Sequence, residues 1–188
     1  MKKYIQLLKT SDKKHKKNKN SKWIILITFL AFFISFVFSF ISEILLPGIN
    51  ITLGIILILV FILIGVIFDM IGVAITSANE APFHSMASQK IKGAALAIKM
   101  IKNASKVSSF CNDVIGDICG IISGSAGLTV SLKLANYLNF NSLLTTLTIT
   151  ALIAAITIGG KACGKNIALT KSNMILYKTA QFLSIFKH

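Results

Sequence analysis

The sequence predicts an all-α protein: a polytopic membrane helical bundle of about four transmembrane helices, with amphipathic juxtamembrane helices beside them. Three observations predict this fold. Of the 188 residues, 54% are hydrophobic and only 14% are charged, whereas an average soluble domain carries about 25% charged residues. Most of the charge is confined to residues 1–22 and 90–106. The rest of the chain consists largely of long apolar stretches, which require a bilayer as their solvent.

The N-terminal part combines a charged tail with a membrane anchor. Residues 1–22 are rich in lysine, asparagine and serine, so they repel one another and are expected to form a cytoplasmic tail without a core. Residues 23–46 form an apolar stretch, longer than the roughly 20 residues with which a helix crosses the hydrocarbon. A cleaved signal peptide has a shorter apolar region of about 7–15 residues. The stretch is therefore predicted to remain as an additional transmembrane anchor.

Residues 51–188 are predicted to form one transmembrane domain, with spans at 51–78, 107–134 and 143–160. Between the second and third spans of the chain, residues 84–106 carry apolar side chains at three- and four-residue steps, and most of their lysines fall on the other face. This pattern fits a helix in the membrane interface and equally an amphipathic helix packed on the bundle. Residues 166–187 predict a second interfacial helix.

Loop charge predicts the orientation. Lysines crowd before the first span, between the second and third, and after the fourth, while connections 47–50 and 136–141 contain none. By the positive-inside rule, both termini are cytoplasmic in a multi-pass protein of the cell (inner or plasma) membrane. Anionic lipid is the expected partner of the lysine-rich segments. All 20 basic residues are lysine, and without the arginine fork we expect no nucleic-acid partner.

Acidic residues at membrane depth are the candidate functional groups. Four of the six acidic residues lie in or just beside the second and third spans: Asp69, Glu80, Asp113 and Asp117. Such groups are costly in a bilayer and usually mark a polar pathway. Asp113 and Asp117 are one helical turn apart, so their oxygens would suit a hard cation or an ion pair that fixes helix packing, and the sequence leaves both open.

Other polar and small residues extend this region. Lys161 is the expected partner of the acidic pair, and Ser77 and Asn79 precede Glu80 at the end of the second span. A doubled small-xxx-small motif follows the acidic pair and predicts close helix packing, through Gly116, Gly120 and Gly124. The sequence contains no Ser-His-Asp arrangement, phosphate loop or zinc-type cysteine spacing, so no enzyme and no cofactor are expected from these patterns.

Four short pieces of the chain resemble the transmembrane domain of the CNNM/CorB magnesium transporter family. They are Ser77-Ala78-Asn79-Glu80-Ala81, Gly93-Ala94 at the start of a lysine-rich helix, Val107-Ser108-Ser109 leading to Ile115-Gly116, and Gly160-Lys161-Ala162-Cys163-Gly164-Lys165. Family members have patterns similar to S-A-S-E-x-A, I-G-N-x-x-x-N and G-E-I-x-P-K at three of these places. The resemblance covers residues 52–187 and does not extend to the family's paired CBS domains.

The resemblance implies three spanning helices with juxtamembrane helices, a homodimer, and Mg²⁺ held among polar groups near the motifs. Of the family's metal ligands, it places Ser77 at the serine and Asp117 at the first asparagine. Ile121 replaces the second asparagine and cannot coordinate a metal. Lys161 replaces the glutamate, which reverses a charge, and Gly164 replaces the proline.

Two functions follow from these observations. In the first, the chain is a minimal CNNM/CorB-type divalent cation (Mg/Co) transporter with an altered metal site, in which the resemblance gives Ser77 and Asp117 as metal residues. Asp69, Glu80, Asp113 and Asp117 would form its polar path. The candidate residues of the ion site are Ser77, Asn79, Glu80, Asp113, Asp117 and Lys161. In the alternative, it is a non-transporting membrane scaffold or partner subunit in which Asp117 and Lys161 replace the metal site with an ion pair.

Overall fold

The computed structural model describes residues 20–185, so most of the predicted tail at residues 1–22 lies outside the described residues. This range contains seven helices and no strand: α1 Asn20–Leu45, α2 Ile51–Ser77, α3 Ala81–Ser88, α4 Ala94–Lys102, α5 Ala104–Leu138, α6 Ser142–Thr170 and α7 Ser172–Ile185. Helices α1, α2, α5 and α6 are each long and apolar enough to cross a membrane. The all-α membrane bundle predicted from the sequence is confirmed.

Helices α2, α5 and α6 pack against one another and form the centre of the bundle. Lipid tails are as apolar as leucine, so helices in a membrane associate where small residues let their backbones approach. Gly65 of α2 provides one such place: a β-carbon there would lie 3.5 Å from the Gly116 carbonyl oxygen of α5. Gly164 of α6 provides another, with its β-carbon position 3.1 Å from Val66 of α2.

Helix α1 lies at the edge of this bundle. None of its 20-residue apolar stretch, Trp23–Ser42, is buried. Its contact with the bundle is an apolar seam in which Ile27 and Ala31 pack against a buried cluster on α5 that contains Val114 and Ile118. The seam leaves most of the α1 surface facing outward, as expected for a helix surrounded by lipid.

Asparagine side chains and backbone conformations define two of the connections. The Asn79 Oδ1 accepts a hydrogen bond from the Ala81 backbone N–H at 3.0 Å, where α3 begins. At the opposite end of the bundle, Asn139 ends α5 in the left-handed conformation, with φ of 54°, which asparagine tolerates better than most residues. Asn141 then caps α6 by accepting a hydrogen bond from the Leu143 N–H at 3.0 Å.

Two of the spanning helices continue beyond the apolar stretches that predict them. Helix α5 has 35 residues and α6 has 29, compared with predicted spans of 107–134 and 143–160. At 1.5 Å per residue, α6 is about 44 Å long, so it exceeds a hydrocarbon core of about 30 Å. Residues 166–170, predicted to begin an interfacial helix, instead complete α6.

The single amphipathic helix predicted at residues 84–106 is divided in the structure. It consists of parts of α3, α4 and α5, with positive φ angles at Lys90 (57°) and Gly93 (88°) between α3 and α4. The apolar face of α4 packs on the bundle through Ala97 and Met100, which share a buried cluster with Leu176 of α7. Helix α4 therefore packs on the bundle, and its place in the membrane interface stays a prediction.

The backbone conformation and the close surroundings of residue 93 both require glycine. This requirement can be tested by substitution. An alanine β-carbon there would lie 2.9 Å from the Gln181 backbone nitrogen of α7, at a φ that L-residues rarely adopt. We expect Gly93→Ala to lower the free energy of unfolding in detergent by about 2–4 kcal/mol. Gly159→Ala is the matched control, since no atom lies within 4 Å of its β-carbon position. Equal stability of wild type and Gly93→Ala would contradict the prediction.

Candidate functional site

The predicted site residues at the end of α2 hold juxtamembrane helices together. The Asn79 N–H donates to the Asn173 side-chain oxygen at 2.9 Å, and the Ser77 carbonyl oxygen accepts from the Ser172 hydroxyl at 3.4 Å. The Glu80 carboxylate lies 3.0 Å from the imidazole of His84 and 3.9 Å from the ammonium of Lys102. These contacts join the end of α2 to α3, α4 and α7.

Asp117 and Lys161 lie together at a different level of the bundle. The Lys161 Nζ is 3.7 Å from the Asp117 Oδ1 and links α6 to α5. Lys161 lies inside α6, which continues to Thr170, rather than at the end of a span. Its side chain is 26% exposed, whereas that of Asp117 is 68% exposed. The ammonium is therefore the more enclosed partner of this pair.

The structure does not bring Ser77 and Asp117 together. Gly116, next to Asp117, lies against Gly65 of α2. From Gly65 to Ser77, α2 rises by roughly 18 Å at 1.5 Å per residue. A single metal ion has ligands at only about 2.0–2.6 Å. The two ligands that the family resemblance implied therefore cannot hold one ion in this conformation.

Asp113 faces a different neighbour from Asp117. It lines a groove between α1 and α5 together with Trp23 and Lys106, whereas Asp117 is paired with Lys161 on α6. Among the side chains that the structure describes, no group of three or more histidine, cysteine, aspartate or glutamate residues is placed to hold a metal ion. The candidate residues therefore form three separate sets.

A fourth set consists of Asp69 and Asn112. Asp69 lies in the middle of α2 and is only 7% exposed, and its side chain has no hydrogen bond or ion pair among the described residues 20–185. It is on the helix face between Gly65, which contacts α5 at Gly116, and Gly72, where a β-carbon would overlap the Asn112 amide. The Asn112 Oδ1 is buried and has no hydrogen-bond partner among the described atoms.

The α5 segment that faces Asp69 is not regular α-helix. Residues Phe110–Gly116 form a π-helix, and Asn112 lies within it. π-Helical turns inside α-helices are rare and are frequent at functional sites. An unpartnered carboxylate and an unpartnered amide oxygen thus lie at one level of the membrane, beside a distorted helix. Sequence reasoning included Asp69 in a polar pathway but missed Asn112, although an amide inside an apolar span is itself a signal.

The glycine stripe has two different environments. Gly116 is buried against α2, and its β-carbon position is 3.6 Å from the Lys161 Nζ. Gly120 and Gly124 have no atom of this chain within 4 Å of their β-carbon positions. Within the chain, therefore, only Gly116 of the three brings helices close, and the homodimer stays a prediction.

Lys133 is a membrane-end lysine that sequence reasoning did not single out. Its Nζ donates to the carbonyl oxygens of Leu46 at 3.2 Å and Ile49 at 2.6 Å. These carbonyls belong to the connection between α1 and α2, so α5 is tied to α1 at the end opposite to the lysine-rich segments. The sequence signal that could have identified Lys133 was its position beside a connection that contains no lysine.

Comparison with protein-family models, with curated proteins and with solved structures gives no significant match. The fold and the charges inside it define an integral membrane protein with polar groups at membrane depth. Any finer assignment rests on the residues themselves.

The Asp117–Lys161 contact generates a second prediction. Asp117→Asn leaves the lysine ammonium unpaired within a spanning helix, which costs about 2.5–3.5 kcal/mol at the centre of a membrane helix. We expect a matching loss in the free energy of unfolding in detergent, and recovery of most of it in the charge-swapped double variant Asp117→Lys with Lys161→Asp.

Asp113→Asn is the control for this measurement, because it makes the same chemical change one turn away, at a side chain with no ion pair among the described residues. It should change stability by less than about 0.5 kcal/mol. If the Asp117→Asn variant is as stable as this control, the contact between Asp117 and Lys161 contributes nothing to the fold.

Proposed function

We propose that the protein carries a divalent cation across the membrane in the manner of CNNM/CorB transporters, along a path past Asp69 and Asn112. The observation that carries the proposal is Asp69, which is only 7% exposed in the middle of a helix long and apolar enough to cross a membrane, and whose side chain has no partner among the described residues. A homodimer in the cell membrane, with the lysine-rich end in the cytoplasm, belongs to the same proposal.

The cost of burying Asp69 supports an ion as its missing partner. A carboxylate inside a membrane protein normally pairs with another group or lies on a substrate or ion pathway. The Asn112 Oδ1, also unpartnered, adds a second oxygen at the same level. Carboxylate and amide oxygens are the ligands that hard divalent cations prefer, and Mg²⁺ commonly uses one or two carboxylates and keeps several waters.

The small number of protein ligands suits transport better than permanent binding. Conduction requires an ion to bind well enough to enter and weakly enough to leave. One carboxylate and one amide oxygen would hold a partly hydrated ion briefly, whereas a cage of several carboxylates would retain it. In this proposal magnesium or cobalt is a transported substrate, and the protein needs no resident cofactor.

The Lys161 ammonium is the positive charge that would repel a cation on the proposed path past Asp69. Its Nζ lies near Gly116, and Gly116 contacts the same face of α2 that carries Asp69. A free ammonium there would repel a divalent ion or pair with Asp69 in its place. We assign Asp117 the role of neutralising Lys161, so that the Asp69 carboxylate is left for the ion.

The contact between Asp117 and Lys161 also favours a second candidate function. If the ion pair has replaced a metal site, the protein is a non-transporting scaffold or partner subunit that retains the bundle. The 3.7 Å separation of the two charged atoms supports either role of the pair. Transport itself distinguishes the two candidates.

Flux measurements on the full-length protein in proteoliposomes test the proposal. With a Mg²⁺, Mn²⁺ or Co²⁺ gradient and a metal-sensitive dye inside, we expect wild-type protein to raise flux at least tenfold over empty liposomes. Asp69→Asn should abolish this flux, since the amide removes the charge that attracts the ion while it keeps the shape of the side chain. Absence of flux under every gradient would leave the scaffold function.

The neutralising role of Asp117 has its own set of variants. Asp117→Asn should lower flux at least tenfold, because it frees the Lys161 ammonium to oppose the ion. Adding Lys161→Met should restore flux, since no unpaired ammonium then remains. Lys165→Met is the matched control, an exposed lysine one turn further along α6, and should leave flux unchanged. Failure of Lys161→Met to restore flux would contradict the neutralising role but not transport past Asp69.

A further inference from the structure

A groove lies between α1 and the α4–α5 region, at the lysine-rich end of the bundle. Its volume is about 650 Å³, within the range of small-molecule sites in proteins. Helix α1 forms one wall, and the first turns of α5 form the other. None of the contacts described for Ser77, Asp117 or Asp69 lies in it, so the groove is separate from the proposed ion path.

The mouth of the groove is basic and aromatic. Lys102 and Lys106 line it on the α4–α5 side, and Trp23 lines it on the α1 side. The Lys106 Nζ lies 5.1 Å from the centre of the Trp23 ring, a cation–π distance that holds the ammonium across the mouth. Lys102 is 62% exposed and its Nζ is 3.9 Å from the Glu80 carboxylate. Tryptophan is enriched where a membrane meets water, so the mouth lies at headgroup level.

The deeper part of the groove is mostly apolar. Ile24, Ile27 and Ala31 of α1 face Val114 of α5. This surface continues into the exposed apolar face of α1, which lies in the hydrocarbon if α1 spans the membrane. A ligand that fills both parts must therefore combine an anionic head with an apolar tail.

One acidic residue, Asp113, also lines the groove. Along α5 it lies roughly 10 Å from Lys106, at 1.5 Å per residue. An anion held at the mouth would be separated from this carboxylate by about a Debye length at physiological salt. Asp113 therefore weakens an anion site at the mouth without preventing it, and it makes the bottom of the groove unsuitable for a phosphate.

We propose that this groove binds one anionic phospholipid, with its phosphate between Lys102 and Lys106 and an acyl chain along Ile24, Ile27 and Ala31. Basic pockets between transmembrane helices bind anionic headgroups in this way. Lysine ammonium groups hold a phosphate as point charges and do not need the planar fork of arginine. The proposal goes beyond cation transport, and it assigns to α1 the role of forming half of a lipid site.

The experiment uses full-length protein in a neutral detergent and measures lipid binding by native mass spectrometry and by the shift in unfolding temperature. Phosphatidylglycerol should bind one molecule per chain and raise the unfolding temperature. Phosphatidylcholine with the same acyl chains should bind at least tenfold more weakly, because its headgroup carries no net charge. Inorganic phosphate should give no shift, which separates a lipid site from a free-anion site.

Lysine variants locate the binding. The double variant Lys102→Ala with Lys106→Ala should weaken phosphatidylglycerol binding by about 30-fold, as two lysines near an anionic lipid imply. The matched control is Lys171→Ala with Lys178→Ala, which removes the same charge from exposed positions outside the groove and should leave binding within twofold. Asp113→Asn should bind phosphatidylglycerol at least as tightly as wild type.

Three outcomes would overturn the proposal: equal binding of both lipids, equal loss in the two lysine double variants, or an inorganic phosphate shift as large as that of the lipid. The unfolding temperature in detergent alone shows whether each variant is folded, and all substituted lysines are at least partly exposed. None of these outcomes depends on ion flux, so the lipid site and the transport function can fail independently.

Discussion

The close contact between α2 and α5 determines where the charges of this protein lie. Gly65 and Gly72 let α2 approach α5 at Gly116 and at Asn112, and side chains larger than hydrogen at these positions would hold the helices apart. Asp69 lies between the two glycines on the same face and is therefore carried into the interface. Its burial is a consequence of helix packing, because no partner group in the described structure compensates for it.

The contact between Asp117 and Lys161 determines which carboxylate is paired with a cation of the protein. Unit charges 3.7 Å apart attract each other by roughly 4.5 kcal/mol at an effective dielectric of about 20 but only by about 1 kcal/mol in water, and Asp117 is 68% exposed. The contact therefore offsets part of the cost of about 2.5–3.5 kcal/mol that an isolated lysine incurs at the centre of a membrane helix. With Lys161 occupied in this way, Asp69 is left without a cation from the protein. This pairing explains why the Asp117 carboxylate has a cationic partner and the Asp69 carboxylate does not, although both lie beside the π-helical stretch.

The predictable and unpredictable parts of the structure differ in their physical origin. Hydropathy depends only on the local sequence, so the approximate positions of four spans and their two connections without lysine could be read from the sequence. The true ends of α5 and α6 could not, because a helix continues past the apolar stretch wherever its backbone stays hydrogen-bonded. The division of residues 84–106 was equally hidden, since it depends on how closely Gly93 meets the backbone of α7.

The site shows the same limit. Lys161 could be identified as the partner of the acidic pair because it is the first charged residue after the apolar span 143–160. The separation of Ser77 from Asp117 was already present in the predicted spans, because Ser77 lies at the end of span 51–78 and Asp117 lies roughly 15 Å inside span 107–134. Only the family resemblance placed the two residues at one site. Asn112 gave a weaker signal, because an amide carries no charge, and its lack of a partner depends on the helix that faces it.

The position of α1 follows from these constraints and explains why a groove lies beside it. At one end, the Lys133 ammonium binds backbone carbonyls just after α1, and at the other end Trp23 meets the Lys106 ammonium. Between these ends the helix contributes no buried residue from its apolar stretch, and a smaller apolar cavity of about 140 Å³ lies along it near Phe38 and Ile41. A helix fixed at both ends but packed loosely between them leaves spaces that only lipid can fill in a bilayer. Helix α1 therefore contributes to the outer surface of the bundle rather than to its core.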